Sequence, residues 1–196
     1  MGNAPTMAEI ARSGNRYPTG ETNGNYPSNP PSGRVSYPST RYQSYTTLGG
    51  LVRVSVPGNW RELGSGNSVW FSPEGAYGQY QNQVVYTHGV NLGLGDTQSR
   101  NLQQATTEFL NSLGAGNGNL RQRTGLQRTT LAGRSGLTTS LDNVNEATGQ
   151  AEVVTVVTTQ LRNGQLFYLI AVAPTNDLRS YQSAFSKVLR TLQLAN

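Results

Sequence analysis

The chain has no cysteine and a single histidine, His88, among its 196 residues. The absence of cysteine excludes a disulfide framework and any thiolate metal site. A single histidine excludes a metal site built on two imidazoles, and the chain has no His-Glu-x-x-His motif. We therefore predict no catalytic residue, no metal ligand and no cofactor site from the residue types present.

Long apolar runs and dense basic segments are also missing. No stretch approaches the roughly 18–20 apolar residues of a membrane-spanning helix, so we expect no direct membrane span. The chain has 15 basic and 10 acidic residues. The nearest thing to a basic patch is four dispersed arginines: Arg121, Arg123, Arg128 and Arg134. Nucleic-acid-binding proteins concentrate their charge in a patch or stripe, so we expect no nucleic-acid partner.

Aliphatic residues are scarce in residues 1–46, here called the leader, which hold six of the nine prolines. Thr6 and Glu9 have the spacing of a capping box, which predicts a short helix ending at Gly14. The rest of the leader is Gly, Asn and Ser around three Tyr-Pro steps, at 17–18, 26–27 and 37–38. Such sequence is too poor in aliphatic residues to fold alone. We predict a short helix and a flexible, disordered linker whose tyrosines lie in an extended spacer, with stacking of those rings as the alternative.

Residues 47–196 are predicted to form one domain of about 150 residues, a common domain size. Val52, Val54 and Val56 alternate as in a half-buried strand. Further strand patterns cover residues 68–72, 84–94, 126–131, 137–143, 152–161 and 165–173. Asn163-Gly164, between the last two, is a strong hairpin signal because both residues tolerate the positive φ of a tight turn.

Two amphipathic helices interrupt the strand patterns. The first covers Leu102–Leu113, with Ser99 as its expected cap. The second covers Leu178–Leu192, with Thr175 or Asn176 as its expected cap. The order of strands, helix, strands and helix predicts an α+β fold. In it, an antiparallel sheet of six or seven strands carries two packed amphipathic helices and is preceded by a disordered leader.

His88 could in principle act as a base for a serine. Its position inside a strand pattern instead favours a structural histidine bonded to a neighbour. Its candidate partners are Ser55, Ser68 and Ser72, and nothing in their spacing selects one.

An aromatic, glycine-rich loop is the candidate binding surface. Tyrosines on such a loop offer a large, partly polar contact area at little ordering cost. We therefore predict a protein-binding loop at Glu74, Tyr77 and Tyr80. The alternative is that the two tyrosines cover an edge of the sheet. Trp60, just after the first strand, is expected in the core.

Three segments carry a resemblance to a known family: Leu51–Trp60, Val69–Gly78 and Thr87–Val90. They resemble the C-terminal region of bacterial zinc metallopeptidases of the HtpX-like and beta-barrel assembly-enhancing kind. Further similar strings bring the resemblance to nearly the whole chain: Ala4–Ala11, Asn101–Thr106, Asn143–Glu146, Thr158–Arg162 and Leu166–Ile170. The opening strand with Val-Pro-x-x-Trp, together with the element order, also resembles the PsbP-like α/β/α fold.

In that family the peptidase domain lies upstream and carries the zinc ligands and an export signal. The resemblance therefore implies a non-catalytic C-terminal accessory domain with zinc only in the upstream peptidase domain of the parent. It also implies a periplasmic or other extracytoplasmic location, and a protein or peptide partner, including the parent peptidase domain. The first residues here lack the basic start and apolar core of a signal peptide, so we expect any export signal upstream.

Two alternatives stay open at this point. One is a free-standing PsbP-like binding protein that docks on a membrane-associated complex. The other is a small hydrolase using Glu74, His88 or Asp142.

Overall fold

A computed structural model describes residues 4–12, 17–18 and 26–195. The helices are α1 (Met7–Arg12), α2 (Leu102–Gly116) and α3 (Leu178–Thr191). The strands are β1 (Tyr42–Thr47), β2 (Val52–Pro57), β3 (Trp60–Leu63), β4 (Ser68–Pro73), β5 (Tyr77–Tyr80), β6 (Gln83–Tyr86), β7 (Gly89–Gly95), β8 (Arg121–Gln122), β9 (Gln127–Leu131), β10 (Arg134–Val144), β11 (Ala151–Gln160), β12 (Leu166–Pro174) and β13 (Gln193–Leu194).

The main sheet runs in the order β3-β4-β7-β12-β11-β10-β8, and β9 adds an eighth strand by pairing with β10. Every pairing in it is antiparallel. A three-stranded sheet, β1-β2-β13, and a two-stranded ribbon, β5-β6, complete the strands. The predicted α+β class with a mainly antiparallel sheet is confirmed, and the main sheet is one strand larger than the prediction.

Both faces of the main sheet are buried, because successive residues of a strand point to opposite faces. On β12, Phe167 and Leu169 belong to the core under α3 and the three-stranded sheet. Tyr168 and Ile170 belong to the core under α2 and the leader. Covering layers on both faces explain why β12, at the centre, is an almost unbroken apolar run.

The helix starts were predicted in part. At α1 the Thr6 amide donates to Glu9 Oε2 at 2.7 Å and the Glu9 amide donates to Thr6 Oγ1 at 3.2 Å, which confirms the capping box. At α2 the cap is Asn101 rather than Ser99, and α3 begins after Asp177 rather than Thr175 or Asn176. The predicted end of α1 at Gly14 lies outside the described residues.

The predicted hairpin joins β11 to β12, but its turn differs in detail. Gly164 has φ +91°, whereas Asn163 is not among the residues with positive φ. The Asn163 side chain instead accepts from the Gln165 amide at 3.0 Å. Only the glycine therefore uses the left-handed region, and the asparagine shapes the turn through its side chain.

Two further differences affect the region of the site. The strand predicted over residues 84–94 is split into β6 and β7 at Thr87–His88, where Gly89 has φ +129°. The loop predicted over residues 73–82 contains β5. Periodicity alone does not locate such a break, because the residues on both sides are apolar.

Candidate functional site

Three aromatic side chains on neighbouring strands form what we call the aromatic cleft: Trp70 on β4, Tyr77 on β5 and Tyr86 on β6. The Trp70 and Tyr86 rings are stacked, with centroids 4.1 Å apart and planes 5° apart. Tyr77 lies 6.4 Å from Tyr86 in a tilted arrangement. All three belong to the core cluster under α2.

The first Tyr-Pro step of the leader lies in this cleft. The indole Nε1 of Trp70 donates to the Pro18 carbonyl oxygen at 2.8 Å, and Ser68 Oγ donates to the same oxygen at 3.2 Å. The Tyr17 ring lies 5.9 Å from the Trp70 ring. The contact to Pro18 is to a main-chain atom, so the cleft holds the peptide backbone as well as the ring.

The Tyr17 hydroxyl reaches a buried carboxylate on β11. It donates to Glu152 Oε1 at 2.7 Å. The same carboxylate accepts from Asn143 Nδ2 at 2.8 Å and from Asn145 Nδ2 at 3.2 Å. Glu152 is only 1% exposed, and a buried carboxylate is tolerated only where donors surround it. Tyr17 therefore belongs to a polar cluster that the domain must keep satisfied.

The second Tyr-Pro step follows the edge of β5. The hydroxyls of Tyr26 and Tyr86 lie 3.3 Å apart, and the Tyr26 ring meets Tyr77 edge-on at 6.1 Å. The Gln79 amide donates to the carbonyl oxygens of Pro27 at 2.9 Å and Asn29 at 3.2 Å. Burial, and next the hydrogen bond with the Tyr26 hydroxyl, raise the pKa of Tyr86 well above its ordinary value, so the Tyr86 phenol stays neutral.

The flexibility of the predicted linker stays a prediction, although two described leader residues pack on the domain. Tyr17 and Tyr26 are buried, and β1 begins before the predicted boundary at residue 46. Residues 15–16 and 19–25 of the predicted linker lie outside the described residues. Both tyrosines contact other rings, as in the alternative prediction, but neither pair is stacked: the Tyr17 and Trp70 planes are 55° apart, and Tyr26 meets Tyr77 edge-on.

The third Tyr-Pro step differs from the other two. Tyr37 is 54% exposed, and the guanidinium of Arg34 lies 5.9 Å from its ring centroid. Just before it, the Ser36 carbonyl accepts from the Tyr181 hydroxyl of α3 at 2.9 Å. The chain has therefore reached the α3 side of the molecule at this point.

The three residues of the predicted binding loop differ in how exposed their side chains are. Glu74 is exposed in the turn between β4 and β5, and Tyr80 is half-buried. Tyr77 is only 5% exposed and contacts the leader through Tyr26. Tyr77 is therefore buried beneath the leader rather than exposed, and the binding role of this loop stays a prediction. Trp60 is buried, as expected.

His88 is buried and bonded at both ring nitrogens. Nε2 lies 3.0 Å from Asp177 Oδ2, and Nδ1 lies 2.8 Å from Thr87 Oγ1. Because the Asp177 carboxylate requires a donor, Nε2 carries a proton. The Thr87 hydroxyl is shared between Nδ1 and the Ala76 carbonyl oxygen, which lies 3.2 Å from it. Sequence reasoning missed both partners: Thr87 is adjacent, whereas Asp177 is 89 positions away and no local signal marks it.

None of the three candidate serine partners of His88 has its hydroxyl on the imidazole. Ser72 Oγ donates to the His88 backbone carbonyl at 2.6 Å, Ser55 Oγ lies 2.9 Å from Ser44 Oγ, and Ser68 Oγ contacts Pro18. A shallow cleft of about 590 Å³ opens beside Thr87 and His88. Both imidazole nitrogens are already used, so the ring offers this cleft no unbonded nitrogen.

The residues of the hydrolase alternative do not form one constellation. Asp142 is paired with Arg123 at 3.1 Å on an exposed surface, Glu74 lies in its own turn, and His88 is bonded to Asp177. Within residues 4–12, 17–18 and 26–195, no group of three His, Asp or Glu side chains could hold a metal ion. In the same ranges, no helix is long and apolar enough to cross a membrane.

Stability should fall as His88 is protonated. Burial lowers the pKa of His88 below its ordinary value of 6.5, and the Asp177 carboxylate only partly opposes this shift. Below pH 6.5 the unfolded chain therefore binds a proton more readily than the folded one. We expect the free energy of unfolding to be constant above this pH and to decline below it. Urea denaturation between pH 8 and 5 measures the effect.

The control for this prediction is His88→Gln, which removes the titrating group. The difference between the two pH profiles isolates His88 from the carboxylates, which both proteins share. A wild-type profile parallel to that of His88→Gln across pH 6.5 would show that burial does not shift this histidine.

Gly78 allows the leader to approach β5. A Cβ at this position would overlap the main-chain carbonyl oxygen of Asn29. Gly78→Ala should therefore push the leader off the strand and speed trypsin cleavage after the exposed Arg34 by about tenfold, corresponding to a loss of roughly 1.4 kcal/mol in local stability. Gly125→Ala, where a Cβ meets no described atom within 4 Å, is the matched control. Equal cleavage rates in the two variants would contradict the close approach.

The comparisons with known proteins identify the fold of this chain but do not assign it to a family. No family model matches the chain, and no curated protein matches it in sequence. A structure of a Bacteroides thetaiotaomicron VPI-5482 protein is similar, with a TM-score of 0.53 and 12% identity; the match covers 79% of this chain and 48% of that one. This chain therefore corresponds to about half of that protein.

Two other solved structures match over almost their whole length. Cyanobacterial PsbP (CyanoP) of Synechocystis sp. PCC 6803 has a TM-score of 0.53 at 14% identity, covering 84% of this chain and 97% of that one. The Ran-binding protein Mog1p of Saccharomyces cerevisiae has a TM-score of 0.51 at 14% identity, covering 80% of this chain and 96% of that one. At such identities the likeness establishes the fold alone. The chain has a PsbP- and Mog1-like α+β fold.

Proposed function

We propose that this chain is a non-catalytic accessory domain of a bacterial envelope zinc metallopeptidase, and that it binds protein segments in extended conformation. The zinc and the catalytic residues would belong to a peptidase domain upstream. Its partner would be a protein or peptide, including the parent peptidase domain, and its location periplasmic or otherwise extracytoplasmic.

The observation that carries the binding role is how the aromatic cleft holds the leader. Trp70 and Gln79 bind main-chain carbonyl oxygens of the leader, and ring contacts between Tyr17, Tyr26 and the cleft surround them. Main-chain hydrogen bonds supplemented by side-chain pockets are the usual way in which domains bind extended peptides. The parent assignment is supported by the resemblance in the segments Leu51–Trp60 and Val69–Gly78.

The described leader does not support a purely tethering mechanism. A flexible linker would raise the local concentration of a bound protein near the protease without ordered contacts. Here the described leader residues around Tyr17 and Tyr26 are packed on the domain. We therefore propose that the domain presents a surface made jointly by its strands and the leader, with Glu74 and Tyr80 at its accessible edge.

Measuring the native protein tests the parent assignment. An antibody raised against residues 47–196 should detect a species well above the 21.1 kDa of this chain, and that species should contain zinc after purification. A single species at about 21 kDa would contradict the peptidase parent. It would favour the alternative of a free-standing PsbP-like protein docking on a membrane-associated complex, with which the PsbP-like fold is compatible.

Activity of the isolated chain tests the non-catalytic assignment. We expect the purified chain to bind no zinc stoichiometrically and to leave casein intact. A matched preparation of Glu74→Gln with His88→Gln serves as the control for contaminating proteases. Casein cleavage by the wild-type chain that is lost in this variant would establish the hydrolase alternative instead.

A further inference from the structure

We propose that the outer edge of β8 and β9, here called the basic edge, is a second binding surface of this chain. Its partner is an extended acidic segment of another protein, in which carboxylates alternate with apolar side chains. Four strands separate β8 from β4 of the aromatic cleft in the main sheet. The inference therefore goes beyond the proposed function and depends neither on that cleft nor on the peptidase parent.

The basic edge concentrates charge of one sign. Residues 121–144, which span β8, β9 and β10, contain a single acidic residue, Asp142, and four arginines. These are Arg121, Arg123, Arg128 and Arg134, of which only the last is half-buried. Charged side chains on an edge strand commonly discourage pairing with a further strand. Because the charges here are almost all positive, they repel a second copy of the same edge and attract an acidic segment.

Main-chain groups of β8 point outward at the centre of this charge. The Arg123 amide donates to the Ser140 carbonyl oxygen at 2.9 Å, and Gln122 lies opposite Leu141. In an antiparallel pair with this pattern, the amide and carbonyl of Gln122 point away from β10. Among the residues that the structure describes, no strand pairs with the outer side of β8 or β9.

The outward main-chain groups continue along β9. A two-residue turn joins β9 to β10, so the alternation that starts there turns the amides and carbonyls of Arg128 and Thr130 outward. On β10 the partner of Thr130 is Ser135 and that of Gln122 is Leu141, six positions further on. The edge is therefore about 20 Å long, which suits an added strand of about eight residues.

An apolar cleft lies next to the basic edge, between β8 and α2. It has a volume of about 670 Å³, and Gln122 is among its lining residues. Its apolar lining is formed by Leu110 of α2 and by Leu120, Leu126 and Leu141. Residues directly opposite each other in a sheet point to the same face. A side chain of the added strand opposite Gln122 would therefore enter this cleft, and an apolar side chain fits its lining.

The arginines on either side of Gln122 select acidic neighbours for that apolar residue. The Arg123 guanidinium lies 3.1 Å from Asp142 Oδ1 on an exposed surface, and Arg121 lies opposite Asp142 on β10. One carboxylate cannot neutralise both arginines. Carboxylates of the added strand opposite Arg121 and Arg123 would complete the neutralisation, which gives the alternation of acidic and apolar residues.

A synthetic peptide tests this surface on the full chain. The probe is fluorescein-labelled Glu-Leu-Glu-Leu-Glu-Leu-Glu-Leu, and binding is followed by fluorescence anisotropy. We expect saturable binding that weakens as sodium chloride is added. The peptide Glu-Glu-Glu-Glu-Leu-Leu-Leu-Leu has the same composition but cannot present its carboxylates and leucines to opposite faces. Equal affinity for the two peptides, or no saturable binding of the first, would overturn the proposal.

Paired arginine variants separate the basic edge from overall charge. Arg121→Gln with Arg123→Gln should raise the dissociation constant of the alternating peptide about fivefold, as expected for the loss of two exposed ion pairs. Arg100→Gln with Arg162→Gln is the matched control, because both arginines are exposed outside this edge and the net charge changes equally. Equal weakening in the two double variants would show that net charge alone attracts the peptide, which contradicts a site.

Gln122→Pro tests the main-chain pairing. Proline removes the outward amide and leaves the hydrogen bonds to β10 intact, whereas Gln122→Ala keeps that amide. We expect only the proline variant to lose affinity, with thermal unfolding confirming that it is folded. If it does not fold, the alternating peptide with every second amide N-methylated replaces it, and unchanged affinity of that peptide would refute the pairing.

Two other occupants of the basic edge are outcomes of the same experiments. If an oligothymidylate displaces the peptide and binds Gln122→Pro as tightly as the natural chain, the edge is a nucleic-acid surface. If the chain alone sediments as a dimer that Gln122→Pro dissociates, the edge pairs with itself. Either result overturns the proposal. The probe contains neither tyrosine nor proline, so its failure leaves the aromatic cleft untouched, and native mass and zinc content still test the parent.

Discussion

Replacing Trp70 by alanine is expected to lower the free energy of unfolding by about 3–5 kcal/mol, the usual cost of truncating a large buried aromatic residue. Trp70 is fully buried and stacked on Tyr86. Its indole also donates to the Pro18 carbonyl, so the substitution removes a leader contact together with the ring. Urea denaturation followed by circular dichroism measures the loss.

Trp60→Ala is the matched control, because Trp60 is equally buried but stacks on Tyr181 in the core beneath α3. Both variants should lose similar stability. Trypsin cleavage after Arg34, compared at urea concentrations that equalise residual stability, should be faster only in Trp70→Ala. Equal cleavage in the two variants would show that Trp70 does not hold the leader.

Gly89→Ala should be comparably damaging, with an expected loss of about 2–6 kcal/mol. Gly89 has φ +129°, and holding an alanine in such a conformation costs about 1–3 kcal/mol. A Cβ there would also overlap the main-chain carbonyl oxygen of Phe71, and overpacking adds about 1–3 kcal/mol. Because the obstacle is backbone of the adjacent β4, no side-chain rotation relieves it. Thermal and urea unfolding both report the effect.

Gly118→Ala tests whether the cost at Gly89 comes from its environment rather than from losing a glycine. A Cβ at Gly118 meets no described atom within 4 Å, and its φ is not positive. We expect its stability to stay within about 0.5 kcal/mol of the natural chain. A Gly89→Ala protein as stable as Gly118→Ala would mean that the turn between His88 and β7 adjusts freely.

Elements with a strong local period were predictable. Val52, Val54 and Val56 alternate, and β2 buries all three. The apolar positions of α2 and α3 recur at three- and four-residue steps, and both helices exist. In these segments the face that is apolar in the sequence is the face that packs, so local pattern and tertiary structure agree.

The sequence predicted where the helices begin only to within about two residues, as the caps show. Ser99 lies two residues before the true cap and instead accepts from the Asn101 amide at 3.1 Å. Both residue types cap helices well, so composition cannot choose between them. Their choice depends on where the chain leaves β7, which is a tertiary property.

The candidate site was predicted least well. A leader poor in aliphatic residues reads as a spacer, yet Tyr17 reaches Glu152 from 135 positions away. Side chains from three strands, β4, β10 and β11, form the contacts around this leader tyrosine. Tyr77 was predicted on an exposed loop for a related reason. The leader segment that covers it, around Tyr26, is distant from it in sequence.

The sequence by itself determined the α+β class, the central hairpin and the core position of Trp60, because each depends on periodicity or turn chemistry within a few residues. Only the tertiary structure decided that the described leader packs on the domain, that Tyr77 is buried and that His88 is bonded to Asp177. Those outcomes depend on which distant surfaces remain uncovered once the sheet has formed. A short aromatic segment can be buried only against a surface that other parts of the chain build, so its own composition does not reveal it.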